Sequence, residues 1–197
     1  MPQISTHEFE RLPLRVHDFL AGVSLHDVWS VDLPRTRPGI TLDEFLRTAS
    51  ACLCTPTPLV RALLTIRLFV GRRLSWDCEP AATAWETFTT RLTTADRSRS
   101  LATAGTHEGL FRIVYRFENE QLLELINYTA HAAVLSALVE TANGYRFYFG
   151  VYVQNVGHFT PVYMALVDPF RKLIVYPSLL RSVRASWNQA NGEVSIS

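Results

Sequence analysis

The sequence predicts an α+β fold in which antiparallel strands form a curved sheet and a long C-terminal helix lies on it. Two observations lead to this prediction. Within residues 111–153, apolar and polar side chains alternate in several stretches, as they do in strands with one buried face. Residues 168–187 instead place apolar side chains at helical spacing. A helix with a wide apolar stripe has to lie against an apolar surface, and the sheet provides one.

The first strand and the helices after it are predicted from residues 25–71. Alternating apolar positions indicate a strand, whose buried face carries Trp29, Val31 and Leu33. Thr41 and Glu44 have the spacing of a capping box, so a helix is predicted to begin at Leu42. After a Thr-Pro-Thr-Pro break, a second helix is predicted over residues 57–71.

Residues 78–109 differ in character, being rich in Ala, Thr and Ser and weakly patterned. We expect a variable insertion here, within a single domain that spans residues 1–197. Trp85, Phe88 and Leu92 have the spacing of a short helical stripe. The segment after Leu92 is predicted to be a surface loop. Residues 93–106 are expected to be mobile or to act as a lid.

A meander of strands is predicted to follow this segment. Apolar side chains alternate over 111–117, and the predicted buried face carries Phe111, Ile113, Tyr115 and Phe117. Asn143-Gly144 is a strong hairpin signal between two further strands. A last strand is predicted over 159–167.

The C-terminal helix is predicted to begin at Asp168-Pro169, because Asp is a good N-cap and Pro a good first helical residue. Pro177 lies inside the apolar pattern and predicts a kink. The side chains predicted to face the sheet are Phe170, Leu173, Leu180 and Trp187. We expect a hollow between this helix and the concave face of the sheet.

Several stretches of the chain resemble one known family: LRTAS (46–50), VRALLTIRLFVGRRLSWD (60–77), ENE (118–120), NYTAHAAVLSALV (127–139) and YMALVDPFRKLIV (163–175). They resemble the helix-grip fold of the START and polyketide-cyclase (SRPBCC) superfamily, and more closely the bacterial domain-of-unknown-function family 2867 within it. The resemblance implies a curved antiparallel sheet wrapped around a long C-terminal helix, with two short helices after the first strand. In the family pattern a histidine follows Pro-Phe, and Arg171 stands at that position here.

The resemblance implies a pocket but no single activity, because the superfamily contains lipid carriers, receptors, cyclases and oxygenase domains. We expect a small hydrophobic or aromatic ligand between the sheet and the C-terminal helix. The candidate ligand-binding residues are Trp29, His131, Leu135, Phe147, Phe149, Tyr163, Phe170 and Leu173. An alternative is a cyclase-, dehydratase- or isomerase-like enzyme that uses His131 as acid or base. Another is an interaction protein whose interior is filled by its own side chains.

His131 is the candidate catalytic residue, since it shares a strand face with small apolar neighbours. A hydrogen-bonded structural histidine is the competing interpretation. Glu118 and Glu120 flank Asn119 at a turn, where a carboxylate pair at a pocket mouth is one interpretation and a pair of solvated turn residues is the favoured one. Glu124 is interpreted as facing outward.

Composition limits the partners. Charged residues make up 19% of the chain and the net charge is +1, so no overall field favours nucleic acid. We expect neither a cofactor nor a metal. We also expect no transmembrane segment and a cytoplasmic location. The sequence is compatible with a homodimer.

Overall fold

The computed structural model describes residues 4–34, 38–53, 86–127, 130–154 and 167–192, together with residues 58, 61, 65, 69, 73 and 165. Its helices are α1 (Thr6–Glu10), α2 (Val16–Phe19), α3 (Leu42–Leu53), α4 (Thr94–Arg99) and α5 (Tyr176–Gly192). A 3-10 turn spans Phe88–Arg91 and a π-helical turn spans Arg171–Val175. The strands are β1 (Ser24–Pro34), β2 (His107–Glu108), β3 (Phe111–Arg116), β4 (Glu120–Asn127), β5 (Ala130–Thr141) and β6 (Gly144–Gln154).

Within these ranges the strands form one six-stranded antiparallel curved sheet in the order β1-β6-β5-β4-β3-β2. The α+β class and the C-terminal helix are therefore confirmed. The predicted Asn143-Gly144 hairpin joins β5 to β6, with Thr141 opposite Gly144. Gly144 has a φ of 137°, and a Cβ there would collide with the backbone oxygen of Leu33. Glycine is therefore required at this turn, where β1 passes beside the hairpin.

Both faces of the sheet are covered, by different helices. The α1-side core joins α1, α2 and the 3-10 turn to one face, through Phe9, Val16, Phe19, Phe88, Leu92, Val114, Tyr115, Phe117, Leu122, Ala133, Leu135, Ala137, Tyr148 and Tyr152. The α5-side core joins α3 and α5 to the other face, through Trp29, Val31, Leu33, Leu42, Phe45, Ala49, Leu138, Tyr145, Phe147, Val151, Val153, Tyr176, Leu180, Val183 and Trp187. Among the described residues, the C-terminal helix packs on this second face.

Helix α3 begins where the sequence predicts. Leu42 is its first residue, and the Glu44 backbone N–H donates to Thr41 Oγ1 at 3.3 Å. Its buried residues pack on the sheet, and the rings of Phe45 and Phe147 lie 4.8 Å apart. The predicted second helix lies mostly outside the described residues, although residues 58, 61, 65, 69 and 73 are each helical.

Strand β3 contradicts its predicted alternation. The register with β4 shifts between Ile113 and Tyr115, so Val114 is an extra residue in a β-bulge. Ile113, Val114 and Tyr115 are consecutive and all buried. A bulge reverses the phase of a strand, and a strict period of two therefore assigns residues on its two sides to the wrong faces.

The C-terminal helix begins earlier in the chain than the sequence predicts. Ala165 and Val167 are already helical, so the predicted strand does not reach 167 and Asp168 is not an N-cap. Leu180 and Trp187 are buried as predicted, but Phe170 is 45% exposed and Leu173 is 75% exposed.

The π-helical turn explains this exposure. The Tyr176 N–H bonds to the carbonyl of Arg171, five residues back, so the turn holds one residue more than an α-helical turn. Residues before it are rotated out of phase with those after it. Pro177 follows directly, and proline cannot donate the usual α-helical hydrogen bond.

The segment after Leu92 is more ordered than predicted. Thr93 and Asp96 form a capping box that begins α4. Arg15 holds Asp96 by two hydrogen bonds, from Nε at 3.0 Å and from Nη2 at 3.1 Å. The Leu101 N–H donates to the carbonyl of Arg116 at 2.7 Å. The expectation of an unpatterned loop is therefore wrong for this stretch.

We expect Asp96→Asn to lower the free energy of unfolding at pH 7 by about 2 kcal/mol. The hydrogen bond from Arg15 lowers the pKa of Asp96 to about 2. A carboxyl with a depressed pKa contributes stability above its unfolded pKa, and that contribution disappears as pH falls from about 4 to about 2. Urea unfolding from pH 7 to pH 2 should show this loss in the wild type and not in the variant.

Asp18→Asn is the matched control, because Asp18 lies 3.6 Å from the same guanidinium but its side chain is 86% exposed. An exposed ion pair contributes little, so this variant should behave as the wild type. Equal effects of the two substitutions would contradict the role assigned to Asp96.

None of the described helices is long and apolar enough to cross a membrane.

Candidate functional site

Two backbone irregularities face each other on the α5 side of the sheet. The register between β1 and β6 shifts between Leu25 and Asp27, so His26 is the extra residue of a β-bulge. The π-helical turn Arg171–Val175 lies opposite, and side chains of the two segments are in contact. Bulges and π-turns re-aim side chains and occur often at functional sites. Here they bring several charged and polar side chains together.

Asp168 is the centre of an ion-pair network. His26 Nε2 lies 2.7 Å from Asp168 Oδ2, and Lys172 Nζ lies 3.4 Å from the same oxygen. Arg171 Nη1 lies 3.2 Å from Asp168 Oδ1. Arg171 also donates from Nε to the Tyr176 hydroxyl at 2.7 Å, and its Nη2 contacts the same oxygen. Arg171 thus joins the carboxylate network to the aromatic core.

Asp27 is the unusual member of this cluster. It is only 3% exposed, and neither carboxyl oxygen has a hydrogen-bond partner among the described residues. Its Oδ2 lies 3.8 Å from Arg171 Nη2 and 4.0 Å from His26 Nε2, which are ion-pair distances without a hydrogen bond. Burial raises the pKa of the Asp27 carboxyl, and the charge of Arg171 opposes that shift. Native proteins rarely leave such a group unpaired.

An aromatic surface adjoins Asp27. Trp29 lies two residues further along β1, on the same face, and is buried. Its Nε1 is a buried donor at this site, and it too has no hydrogen-bond partner in the described part of the chain. The Tyr176 ring lies 5.7 Å from Trp29 and 5.3 Å from Phe149. Burial raises the pKa of the Tyr176 hydroxyl, so it stays a neutral hydrogen-bonding group.

Three side chains here could hold a metal ion, since ligand atoms of His26, Asp27 and Asp168 all lie within 4.8 Å of one another. Histidine and carboxylates suit several divalent ions. However, Arg171 and Lys172 already pair with these carboxylates, so a divalent ion would meet two fixed positive charges. We therefore assign no metal to this cluster.

His131 lies on the other face of the sheet, away from α5. Its strand neighbours Ala133 and Leu135 belong to the α1-side core. Its Nε2 lies 2.7 Å from Glu124 Oε1, and both side chains are buried. The Phe88 N–H donates to the same oxygen at 2.6 Å, and the Phe88 ring stacks on the imidazole at 4.1 Å. The assumption that His131 lines a hollow beneath the C-terminal helix is therefore wrong.

The other candidate residues are divided between several places. Trp29, Phe147 and Phe149 lie on the α5 side, where Phe147 packs on Phe45. Leu135 lies on the α1 side. Phe170 lies just before the π-helical turn and Leu173 within it, and both are exposed, whereas Tyr163 lies outside the described residues. The structure thus brings together Trp29 and Phe149, but neither with His131 nor with Leu135.

Sequence reasoning missed His26, Asp27, Asp168 and Tyr176 as members of one site. The burial of Asp27 was predictable, because it shares the alternate positions of the strand with Trp29 and Val31, which are on the predicted buried face. The interpretation of Glu120 as a solvated turn residue is wrong, as is that of Glu124 as outward-facing, since both are 1% exposed.

Glu120 lies at a cleft of about 430 Å³ on the α1 side. The Tyr115 hydroxyl donates to Glu120 Oε1 at 2.8 Å, and the Arg15 N–H donates to Oε2 at 2.9 Å. Burial raises the pKa of this carboxyl, but both oxygens are hydrogen-bonded. This arrangement leaves less unmet hydrogen-bonding capacity than the cluster around Asp27.

The fold and the site define an α+β protein with a polar, partly unpaired cluster between a curved antiparallel sheet and its C-terminal helix. Comparison with family models places the chain more narrowly: residues 19–178 match the family described as protein of unknown function (DUF2867), and the chain belongs to that family. No curated protein and no solved structure matches the chain.

Proposed function

We propose that this protein binds a small apolar or aromatic molecule at the interface between the sheet and the C-terminal helix. The observation that supports this most directly is that Asp27 and Trp29 Nε1, two buried polar groups beside an aromatic surface, have no hydrogen-bond partner among the described residues. A buried polar group without a hydrogen bond costs stability, so its presence in a folded protein requires an explanation. A ligand that reaches both groups would meet their hydrogen-bonding requirements and bury its apolar body against Trp29, Phe149 and Tyr176.

The helix-grip assignment supports the same location. A curved antiparallel sheet with a C-terminal helix on one face is the arrangement that the resemblance to the START and polyketide-cyclase superfamily implies. In that architecture the space between sheet and helix is where a ligand would bind. The position at which the family pattern has histidine is occupied here by Arg171, which belongs to the cluster.

The alternative hypothesis, an enzyme that uses His131 as acid or base, has less support from the structure. Phe88 covers the imidazole, and His131 lies on the face opposite to α5. A general acid or base has to reach the proton that it transfers, directly or through one water. Binding at the Asp27 cluster needs no rearrangement of the α1-side core.

Native mass spectrometry of protein purified from its own host tests the proposal. We expect an added mass on the wild type that is strongly reduced in Trp29→Phe, which removes the unpaired N–H. Trp187→Phe is the matched control, because Trp187 belongs to the same core but its Nε1 donates to the Pro34 carbonyl at 3.4 Å. Loss of the added mass in both variants would argue against the proposal. So would the absence of any added mass on the wild type, if 2-naphthol, a small aromatic probe, also left its melting temperature unchanged.

We expect Asp27→Asn to raise the free energy of unfolding at pH 7 by about 1–2 kcal/mol, because it removes a charge that burial disfavours. The folded-state pKa is raised, so wild-type stability should fall as pH rises from the unfolded pKa through the folded pKa. The variant should lack this fall. Urea unfolding of both proteins between pH 3 and pH 8 measures it.

Asp32→Asn is the control for this comparison, since Asp32 lies on the same strand but is exposed and paired with Arg146. A loss of stability in Asp27→Asn would mean that Asp27 is held mainly by Arg171.

A further inference from the structure

We propose that the ligand presents to Asp27 and Trp29 a neutral group that both donates and accepts a hydrogen bond, so that it is an apolar alcohol or a phenol. This inference rests on the proposed function and names the chemical class of its ligand. It follows from the kind of polar atoms left unpaired, from their positions and from the charge of the cluster.

The two unpaired groups are complementary. An ionised carboxylate only accepts hydrogen bonds, and an indole nitrogen only donates one. Asp27 and Trp29 are two residues apart on one face of β1, so their Cα atoms are separated by roughly 7 Å. A single hydroxyl can donate to the carboxylate and accept from the indole. An ether or a ketone can meet only the second requirement.

The two oxygens of Asp27 have different surroundings. Oδ2 is the atom that lies near both Arg171 Nη2 and His26 Nε2. Oδ1 is buried, has no hydrogen-bond partner among the described residues and takes part in neither ion pair. The geometry therefore assigns Oδ1 to the ligand hydroxyl, while Oδ2 keeps its two basic neighbours.

The charge of the cluster favours a neutral ligand. Two carboxylates, Asp27 and Asp168, are already accompanied by two cations, Arg171 and Lys172, and by the imidazole of His26. An ammonium ligand would add a positive charge without a free counter-charge in a buried place, which is costly. A carboxylate ligand would approach Asp27, a like charge, at short range.

Three probes of one ring system separate these possibilities: 2-naphthol, 2-methoxynaphthalene and 2-naphthylmethylammonium. They present a neutral donor and acceptor, an acceptor alone and a cation. We expect the wild type to bind 2-naphthol about fivefold to tenfold more tightly than 2-methoxynaphthalene, the range expected for one hydrogen bond. The ammonium probe should bind most weakly. Isothermal titration calorimetry at pH 7 measures all three.

Variants connect the preference to Asp27. In Asp27→Leu the acceptor is gone, so 2-naphthol and 2-methoxynaphthalene should bind within about twofold of each other. Asp27→Asn keeps an acceptor oxygen and should keep most of the preference. Asp32 is an exposed residue of the same strand, so Asp32→Asn should show the same preference between the two probes as the wild type. Melting curves establish that each variant is folded.

The outcomes distinguish this inference from the proposed function. Equal binding of the naphthol and the ether by the wild type would overturn the hydroxyl inference and still support an apolar site. Tightest binding of the ammonium would overturn it in favour of a cationic ligand. A preference that survives in Asp27→Leu would place the hydroxyl elsewhere. Binding of none of the probes would overturn both proposals.

Discussion

Leu180→Asp is expected to destabilise the protein by at least about 4 kcal/mol, enough to unfold a domain of ordinary stability. Leu180 is fully buried in the α5-side core, where a carboxylate would find neither water nor a partner in the described structure. Burying an unpaired charge is among the most destabilising single changes. Thermal melting and urea unfolding measure the effect directly.

Leu173→Asp is the matched control for this prediction. It makes the same chemical change on the same apolar stripe of the sequence, but Leu173 is 75% exposed. We expect its melting temperature to stay within a few degrees of the wild type. If Leu180→Asp also melted like the wild type, α5 could not be part of the core.

His131→Ala is expected to cost about 3–5 kcal/mol, because it removes a hydrogen-bond partner from the buried Glu124 and leaves a cavity beside the Phe88 ring. The variant leaves Glu124 buried, with the Phe88 N–H as its remaining donor among the described residues. Affinity for 2-naphthol, expressed per folded molecule, should not change, because His131 is on the face opposite to α5.

Two comparisons sharpen this second prediction. His107→Ala removes an exposed imidazole from the same sheet and should have no measurable effect. In Glu124→Gln/His131→Ala the combined cost should be less than the sum of the single costs, because the two side chains interact. If His131→Ala abolished binding or turnover while melting stayed unchanged, His131 would be functional and not structural.

The sequence predicted the elements of this fold better than their arrangement. The start of α3 at Leu42 and the hairpin at Gly144 were predictable, since capping and turn preferences are local. Parity also placed His131 correctly beside Ala133 and Leu135. It could not tell which helix covers that face, because periodicity shows which side chains share a face and not what lies against it.

One-residue irregularities account for the side chains that were assigned to the wrong face in β3 and in the C-terminal helix. The bulge at Val114 and the π-helical turn each insert a residue and shift the phase of the apolar pattern after them. The partner of Glu124 was hidden for a different reason. Glu124 lies opposite Ala133 in the hairpin of β4 and β5, which makes His131 its diagonal neighbour, and this contact requires the register to be known.

The π-helical turn also separates two roles of the C-terminal helix, which are packing on the sheet and presenting side chains to the polar cluster. After the turn, Tyr176 and Leu180 belong to the core, whereas Asp168 before it and Arg171 at its first position belong to the polar cluster. A change in the length of the chain within 171–175 would rotate the second pair by about a quarter of a turn relative to the first. Insertions and deletions at this point therefore change which polar side chains meet beneath the helix while the packing of α5 on the sheet is conserved.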